Sequence, residues 1–585
     1  MTDKKKPSGL DNGLTNYGDL EFARYLRRSF ARSMGYTGVS LDKPIVGICT
    51  TESGFNNCHR HFPEMIEAVK RGVLAAGALP ITFPVISLGE VFLSPTSLVY
   101  RNLMAMTAEE MIRAQPMDSV VLMGGCDKTV PALLMGALSA NRPAAMVVGG
   151  PMMTGRHKGE RLGACTDCRR FWGKHRAGEV DSEEISLIEG RLAVTSGTCA
   201  VMGTASTMAL IAETLGMMLP NTSAIPAVHA DRLRSAEETG TLAAKMAIEG
   251  GPLPSSLITR ESVENALRVL LAVSGSTNAI VHLAAIAGRA GIDIDLEAFN
   301  RLSDDTPVIV DLKPVGTGYM EDFHAAGGLE AVLREMPDKL HLGCRDITGQ
   351  TLAERLAKSL IDPVDRAVVR SAENPVDPLG GLIALSGTLA PDGAILKRAA
   401  ATPALMEHEG RAVVFSSLED LAARIDDPDL DVQADDVLVL QNAGPRSKSG
   451  MPEAGYLPIP KKLAAKGVKD MVRISDARMS GTAFGTIVLH VTPEADVGGP
   501  LALVQNGDRI RISASEKRID LLVGENELAR RRAAFVVPTA EPPRGYAQLY
   551  RRHVLPATLG CDFDFLRASP RQDKDRQDTL GISTQ

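Results

Sequence analysis

Aromatic side chains are scarce in this 585-residue chain: Phe, Tyr and Trp make up 4 % of it, with a single Trp. The stacking platforms that hold single-stranded nucleic acid are therefore not expected. Excess positive charge is missing too. Lys and Arg number 64 against 71 Asp and Glu, a formal charge of −7, so nucleic acid is not an electrostatically favoured partner. No apolar run is long enough, free of charge and glycine, to cross a bilayer. The opening MTDKKKPSGLDNGLTNYG has basic residues with no apolar core behind them. No secretory signal is read there, and a cytoplasmic protein is expected. GCDK and GGPMMTG lack the pattern of a phosphate-cradling loop, which argues against a kinase or ATPase. No internal repeat has solenoid spacing.

Cysteine is sparse for the length: Cys49, Cys58, Cys126, Cys165, Cys168, Cys199, Cys344 and Cys561. In a long chain read as cytoplasmic, those that are not simply buried are better candidates for metal binding or catalysis than for disulfides.

Between about residues 40 and 290, short apolar runs alternate with helix-like segments. KPIVGICT, LPITFPVIS, SVVLMGG and AAMVVGG read as strands; HFPEMIEAVKRGVLAAG, TSLVYRNLMAMTAEEMIRA and VPALLMGALSAN read as helices. That alternation implies parallel βαβ layers, whose working groups gather on loops at the carboxyl ends of the strands. The stretch from about 255 to 365 is mainly helical in pattern. RSAENPVDPLGG then reads as a linker. Beyond it, GLIALSGTLA, AVVFSS, DVLVLQ, MVRIS, TIVLHV, LALV, DRIRIS and RIDLLV are read as short strands of a barrel or sandwich. The expected division is an α/β domain over 1–370, a β-domain over 371–567 and a flexible tail over 568–585.

Three cysteines stand on similarly punctuated loops: Cys58 in ESGFNNCHRH, Cys126 in GGCDKTVP and Cys199 in TSGTCAVMGTAS. Each is followed by a helix-like segment, and a helix N-terminus favours thiolate, the form that binds iron. Three thiolates without a fourth could hold an iron–sulfur cluster and leave one iron open as a Lewis acid. Their long separations carry no fixed metal signature, so from spacing alone three buried thiols are the stronger reading. CTDC, Cys165 to Cys168, is the rival: a redox dithiol, half of a zinc site, or an incidental pair. No second Cys or His pair completes a tetrad. Glu90, Asp127 and Glu453 are hard oxygen donors suited to magnesium, or solvated surface acids. Lys128 either pairs with an anion or, carbamylated, becomes a further oxygen ligand. Ser480, in SDARMSGTAFGTIVLHVTPEA, is a nucleophile, a base or an ordinary turn serine; the stretch is no nucleophile elbow. Thr482 orients a substrate beside it or is a strand-edge threonine. Ser274 to Asn278, SGSTN, lies near the site or caps a helix.

Taken together, CDKTVPALLMGAL, TCAVMGTASTMALIAETLGMMLP, SGSTNAIVHLAAIA, GGLIALSGTLAPDGAILK, NAGPRSKSGMPEAG and SDARMSGTAFGTIVLHVTPEA resemble the dihydroxy-acid and 6-phosphogluconate dehydratase family, in order, from about residue 40 to 535. The resemblance implies an α/β domain followed by a β-barrel, a homodimer or homotetramer, and a site between the domains. It implies an iron–sulfur cluster on Cys58, Cys126 and Cys199, and magnesium on Glu90, Asp127, carbamylated Lys128 and Glu453. Ser480 is then the proton-abstracting alkoxide, and Cys165 and Cys168 fall outside the ligand set. ARMSGTAFGTIVLH is more similar to the sugar-acid dehydratases, which act on pentonates such as arabinonate or xylonate and carry a 2Fe–2S cluster; three cysteines also suit 4Fe–4S. The resemblance leaves the dihydroxy-acid dehydratase of branched-chain biosynthesis as the alternative. A thiol or zinc protein using CTDC, and a non-catalytic sugar-acid binder, are the other classes.

Overall fold

A computed structural model of the chain describes residues 7–14, 17–358, 364–538, 542 and 544–568. The expected tail lies outside the described residues apart from Ala568.

The amino-terminal half is built on four parallel strands: β1 (Ile45–Thr50), β2 (Leu79–Pro84), β3 (Ser119–Gly124) and β4 (Ala144–Val148), in the order β2-β1-β3-β4. Their near-continuous apolar sequences suit a sheet covered on both faces. Side chains alternate between those faces. Ile45, Cys49, Val120 and Leu122 pack with the helices Ser97–Ala114 and Thr129–Ala140. Val46, Ile48, Val121 and Met123 pack with Phe62–Ala75 and Ala230–Glu249. This last pair of helices meets very closely. A Cβ at Gly240 would lie 2.2 Å from the Val69 carbonyl oxygen, so only glycine permits the contact. A small hairpin, β5 (Gly155–His157) and β6 (Glu160–Leu162), stands apart from the sheet.

The carboxy-terminal half holds eight strands: β7 (Ile383–Leu385), β8 (Gly393–Leu396), β9 (Glu407–Phe415), β10 (Val437–Leu440), β11 (Arg473–Ser475), β12 (Ile487–Thr492), β13 (Arg509–Ser513) and β14 (Arg518–Leu521). Their order is β14-β13-β9-β10-β11-β12-β8-β7. A bridge between Ser386 and Arg518 brings the two edges together, so the sheet is a nearly closed barrel. Two sequence expectations change here. LALV is not a strand: Pro500–Leu503 is a 3-10 turn with proline in its first position, where the missing N–H costs nothing. The strand β8 was hidden in the turn-rich APDGAILK.

The two halves interlock. The stretch read as a linker is hydrogen-bonded to the first half, Val376 N–H to Val308 O and Gly380 N–H to Ser303 O. The last described helix, Gly545–His553, and the residues after it pack on the first half, where Tyr550, Val554 and Phe563 meet Leu98, Val99 and Val281.

Candidate active site

The loops leaving β1, β2 and β3 carry the candidate ligands, as expected at the carboxyl edge of a parallel sheet. Cys58 sits in a short 3-10 turn after β1, its N–H bonded to the Asn56 side chain. Glu90 follows β2. A Cβ at Gly89 would fall 2.4 Å from the Phe55 carbonyl oxygen, so glycine lets these two loops pass each other. Cys126, Asp127 and Lys128 run directly from β3 into the helix Thr129–Ala140, with Lys128 at its N-cap. The neighbouring His59 bridges two loops. Its Nε2 accepts from Cys126 N–H at 3.0 Å and its Nδ1 lies 2.8 Å from Thr51 O. That arrangement requires the neutral ring with its proton on Nδ1, and burial pushes the His59 pKa down to about 4.

Cys199 precedes the helix Thr204–Thr214, and its sulfur lies 3.0 Å from that of Cys165. The neighbouring Cys126, burial and the Asp127 charge hold the Cys58 thiol well above the ordinary thiol range. The Cys199 thiol is likewise raised by its bond to Cys165, by burial, and by the nearby Cys165, Asp127 and Cys58. Four sulfurs thus share one neighbourhood. Cys168, the other half of CTDC, is exposed. The sequence reading set Cys165 aside with Cys168; the structure separates the two.

Beside the sulfurs are the oxygens. Carboxylate oxygens of Glu90, Asp127 and Glu453 lie within 4.8 Å of one another. Lys128, fully buried, places Nζ 2.8 Å from Glu90, 3.7 Å from Asp127 and 3.9 Å from Glu453. Burial, reinforced by Glu453 and Glu90 against the pull of Lys128, raises the Asp127 pKa to about 7. Burial also works against the Glu90 anion. Lys128, Arg478 and the hydrogen bonds from Lys128 and Ser97 outweigh it and hold Glu90 at about 2.

Glu453, beyond β10, and Ser480, beyond β11, come from the barrel. Arg478 spans the two halves: Nη1 lies 3.2 Å from Glu453, Nη2 3.6 Å from Glu90 and 3.0 Å from Thr96 Oγ1. Asn278 donates to Glu453 at 2.8 Å, so SGSTN does reach the site. Ser480 Oγ and Thr482 Oγ1 are 2.7 Å apart, and Thr482 N–H points to Ser480 Oγ at 3.4 Å. The Thr482 carbonyl accepts from Thr166, the residue after Cys165, at 2.9 Å. All nine expected residues therefore gather around one inter-domain region. Asn278 lies in the stretch expected near the site, whereas Arg478 and His59 were not anticipated and Cys165 was set aside, because a lone Arg, His or Cys carries no local signal of its neighbours.

Fold and site define a class: an α/β sheet meeting a β-barrel, with thiols and carboxylates converging between them. Residues 43–355 match the dihydroxy-acid/6-phosphogluconate dehydratase N-terminal model and residues 367–561 the corresponding C-terminal model, and the chain belongs to that family. It is 47 % identical to L-arabonate dehydratase of Azospirillum brasilense, covering 94 % of this chain and 96 % of the relative. It is 46 % identical to 6-deoxy-6-sulfo-D-gluconate dehydratase of Pseudomonas putida, over 90 % and 91 %. Dihydroxy-acid dehydratase of Carboxydothermus hydrogenoformans is 37 % identical, over 92 % and 97 %. These relatives are dehydratases, and the higher identities are to those named for sugar acids.

Proposed function

We propose that the protein is a hydro-lyase converting an aldonate, a 2,3-dihydroxy carboxylate, to a 2-keto-3-deoxy acid and water. One observation supports it most: consecutive residues Cys126, Asp127 and Lys128 join a pocket of thiols to a pocket of carboxylates, and the barrel reaches those carboxylates through Arg478, two residues before Ser480.

The residues fit the two groups the family implies. Thiols suit iron and carboxylates suit magnesium. Cys58, Cys126 and Cys199 would hold a 2Fe–2S cluster; Glu90, Asp127 and Glu453 would hold magnesium, with Lys128 as a fourth oxygen ligand once carbamylated. Carbamylation turns a cation into an oxyanion, leaving four oxyanions with Arg478 as the neighbouring cation, a donor set that suits a divalent ion. When bound, the two groups would supply Lewis acidity, at the departing C3 hydroxyl and at the carboxylate with the C2 oxygen. Ser480 takes the C2 proton as its alkoxide, which Thr482 stabilises through its hydroxyl and its N–H. The C2–C3 double bond forms as hydroxide leaves C3, and the enol tautomerises to the keto acid. Arg478 and Asn278 fix Glu453, while His59 fixes the Cys126 backbone. The same reading has the chain acting in the cytoplasm as a homodimer or homotetramer.

The test is keto-acid formation by anaerobically purified protein with magnesium, across L-arabinonate, D-xylonate, 6-deoxy-6-sulfo-D-gluconate and 2,3-dihydroxyisovalerate. Turnover of an aldonate is expected. Turnover of 2,3-dihydroxyisovalerate alone would replace this reading with the branched-chain one, and no turnover of any acid would end it.

A further inference from the structure

Two histidines and an aspartate that the proposed reaction does not use lie together in the first half. His229 is the N-cap of the helix Ala230–Glu249, Asp231 stands in its first turn, and His324 lies in the helix Met320–Ala325. One donor atom from each falls within 4.8 Å of the other two. His229 Nδ1 and an Asp231 carboxylate oxygen are 3.5 Å apart. Two ligands of one tetrahedral zinc ion, each about 2.0–2.1 Å from it, stand about 3.3 Å from one another, so this pair needs almost no movement. The rings of His229 and His324 meet edge to face with centroids 5.5 Å apart, and rotation about the His324 side-chain bonds closes the rest. The chemistry of the set agrees. Burial, His229 and Arg232 push the His324 pKa down, so at pH 7 its ring is neutral and keeps a lone pair for a metal. His229 Nδ1 accepts the Asp231 N–H at 3.2 Å, which puts its lone pair on the side of the carboxylate. Two imidazoles and one carboxylate suit zinc and its first-row neighbours rather than magnesium. The largely exposed Arg234 pairs with Asp231, and a bound dication takes over that partnership.

The geometry points to a zinc site on His229, Asp231 and His324, with water in the fourth position, that clamps the helix Ala230–Glu249 to the helix Met320–Ala325. The site goes beyond the dehydratase reading and stands without it. Its place in the fold gives the clamp a use, because both of its elements are tied to the loop that carries Cys199. Met320 N–H donates to Ala200 O on one side of that cysteine. On the other, Ala227 N–H donates to Pro151 O, and the next residue, Met152, donates its N–H to Thr198 O. An ion joining His229 to His324 therefore braces the turn through Cys199 from both directions.

The test is zinc binding by the untagged full-length protein, purified anaerobically and kept in excess magnesium, followed by equilibrium dialysis and zinc K-edge X-ray absorption. Wild type should retain one zinc per chain at micromolar free zinc, with nitrogen and oxygen neighbours, imidazole outer shells and no sulfur. His324→Phe, which keeps a ring beside His229, and Asp231→Asn should each bind more weakly by roughly 10-fold or more. Cys168→Ser, which removes the exposed thiol, should bind as wild type does. Zinc should also raise the unfolding temperature of the wild type and leave that of His324→Phe where it is. Retained zinc held through sulfur, zinc held equally well by His324→Phe, or no binding below millimolar zinc overturns the site. Binding through nitrogen and oxygen without the rise in unfolding temperature overturns the clamp. The wild-type affinity and spectrum decide even if a variant fails to fold.

Discussion

Ser480 and Thr482 share a short hydrogen bond, yet in the sequence both sit in a glycine-flanked turn that also reads as an ordinary one. Position alone does not reveal a base; here the family resemblance assigned it, and the structure shows which partners could stabilise it. Ser480→Ala should lower keto-acid formation by roughly 1,000-fold or more while iron and sulfide content stay at wild-type levels, the loss expected when a positioned proton acceptor is removed. His490 illustrates the other kind of residue, buried, at φ +59°, and pushed down by burial and Arg478 to a pKa of about 3. Because its folded value lies below the unfolded one, its contribution is complete above about pH 6.5. It is lost as the pH falls toward 3, at up to about 1.4 kcal/mol per pH unit. Urea midpoints measured from pH 7 down to 4.5 should fall in the wild type. The fall should be shallower in His490→Asn, since asparagine tolerates a left-handed backbone; an identical slope would remove His490 from the account.

Among the elements, the seven segments read as alternating strands and helices from KPIVGICT to AAMVVGG all appear, with ends shifted by a few residues. Apolar periodicity and the glycines that end these segments are local properties, so they are legible without a fold. LALV was misread because four apolar residues do not distinguish a strand from a turn, and β8 was missed because PDG masks the run behind it. Gly240 belongs to this scale as well. In sequence it is a helix-weakening glycine; in the structure it is the point where two helices touch backbone to backbone. Gly240→Ala should destabilise the first half by on the order of 2 kcal/mol, the usual cost of forcing a methyl group into a packed interface. A lowered urea midpoint with little change in the denaturant slope would show it.

Across the whole molecule, a buried ion pair ties the last described segment to the first half of the chain. Arg289 forks onto Asp562 at 2.7 and 3.1 Å, and both side chains are shielded from solvent. Asp562→Ala leaves the guanidinium with Glu109, 3.3 Å away, as its one carboxylate partner among the described residues, and should cost on the order of 3 kcal/mol. Faster proteolysis of the 545–567 segment is the expected readout. Removing magnesium with a chelator should abolish turnover and adding it back should restore it, while light scattering should give twice or four times the 62.3 kDa chain mass. The sequence by itself determined the seven alternating segments of the first half, the α/β-then-β order and the nine residues worth watching, because periodicity, turn chemistry and long motifs are written in neighbouring residues. Only the tertiary structure decided that Cys165 joins Cys199 while Cys168 faces water, and that Arg478 and Asn278 hold Glu453. It also decided that residues 545–567 return to the first half. Each of these depends on distances between residues far apart in the chain, and such distances are set only once the two halves pack.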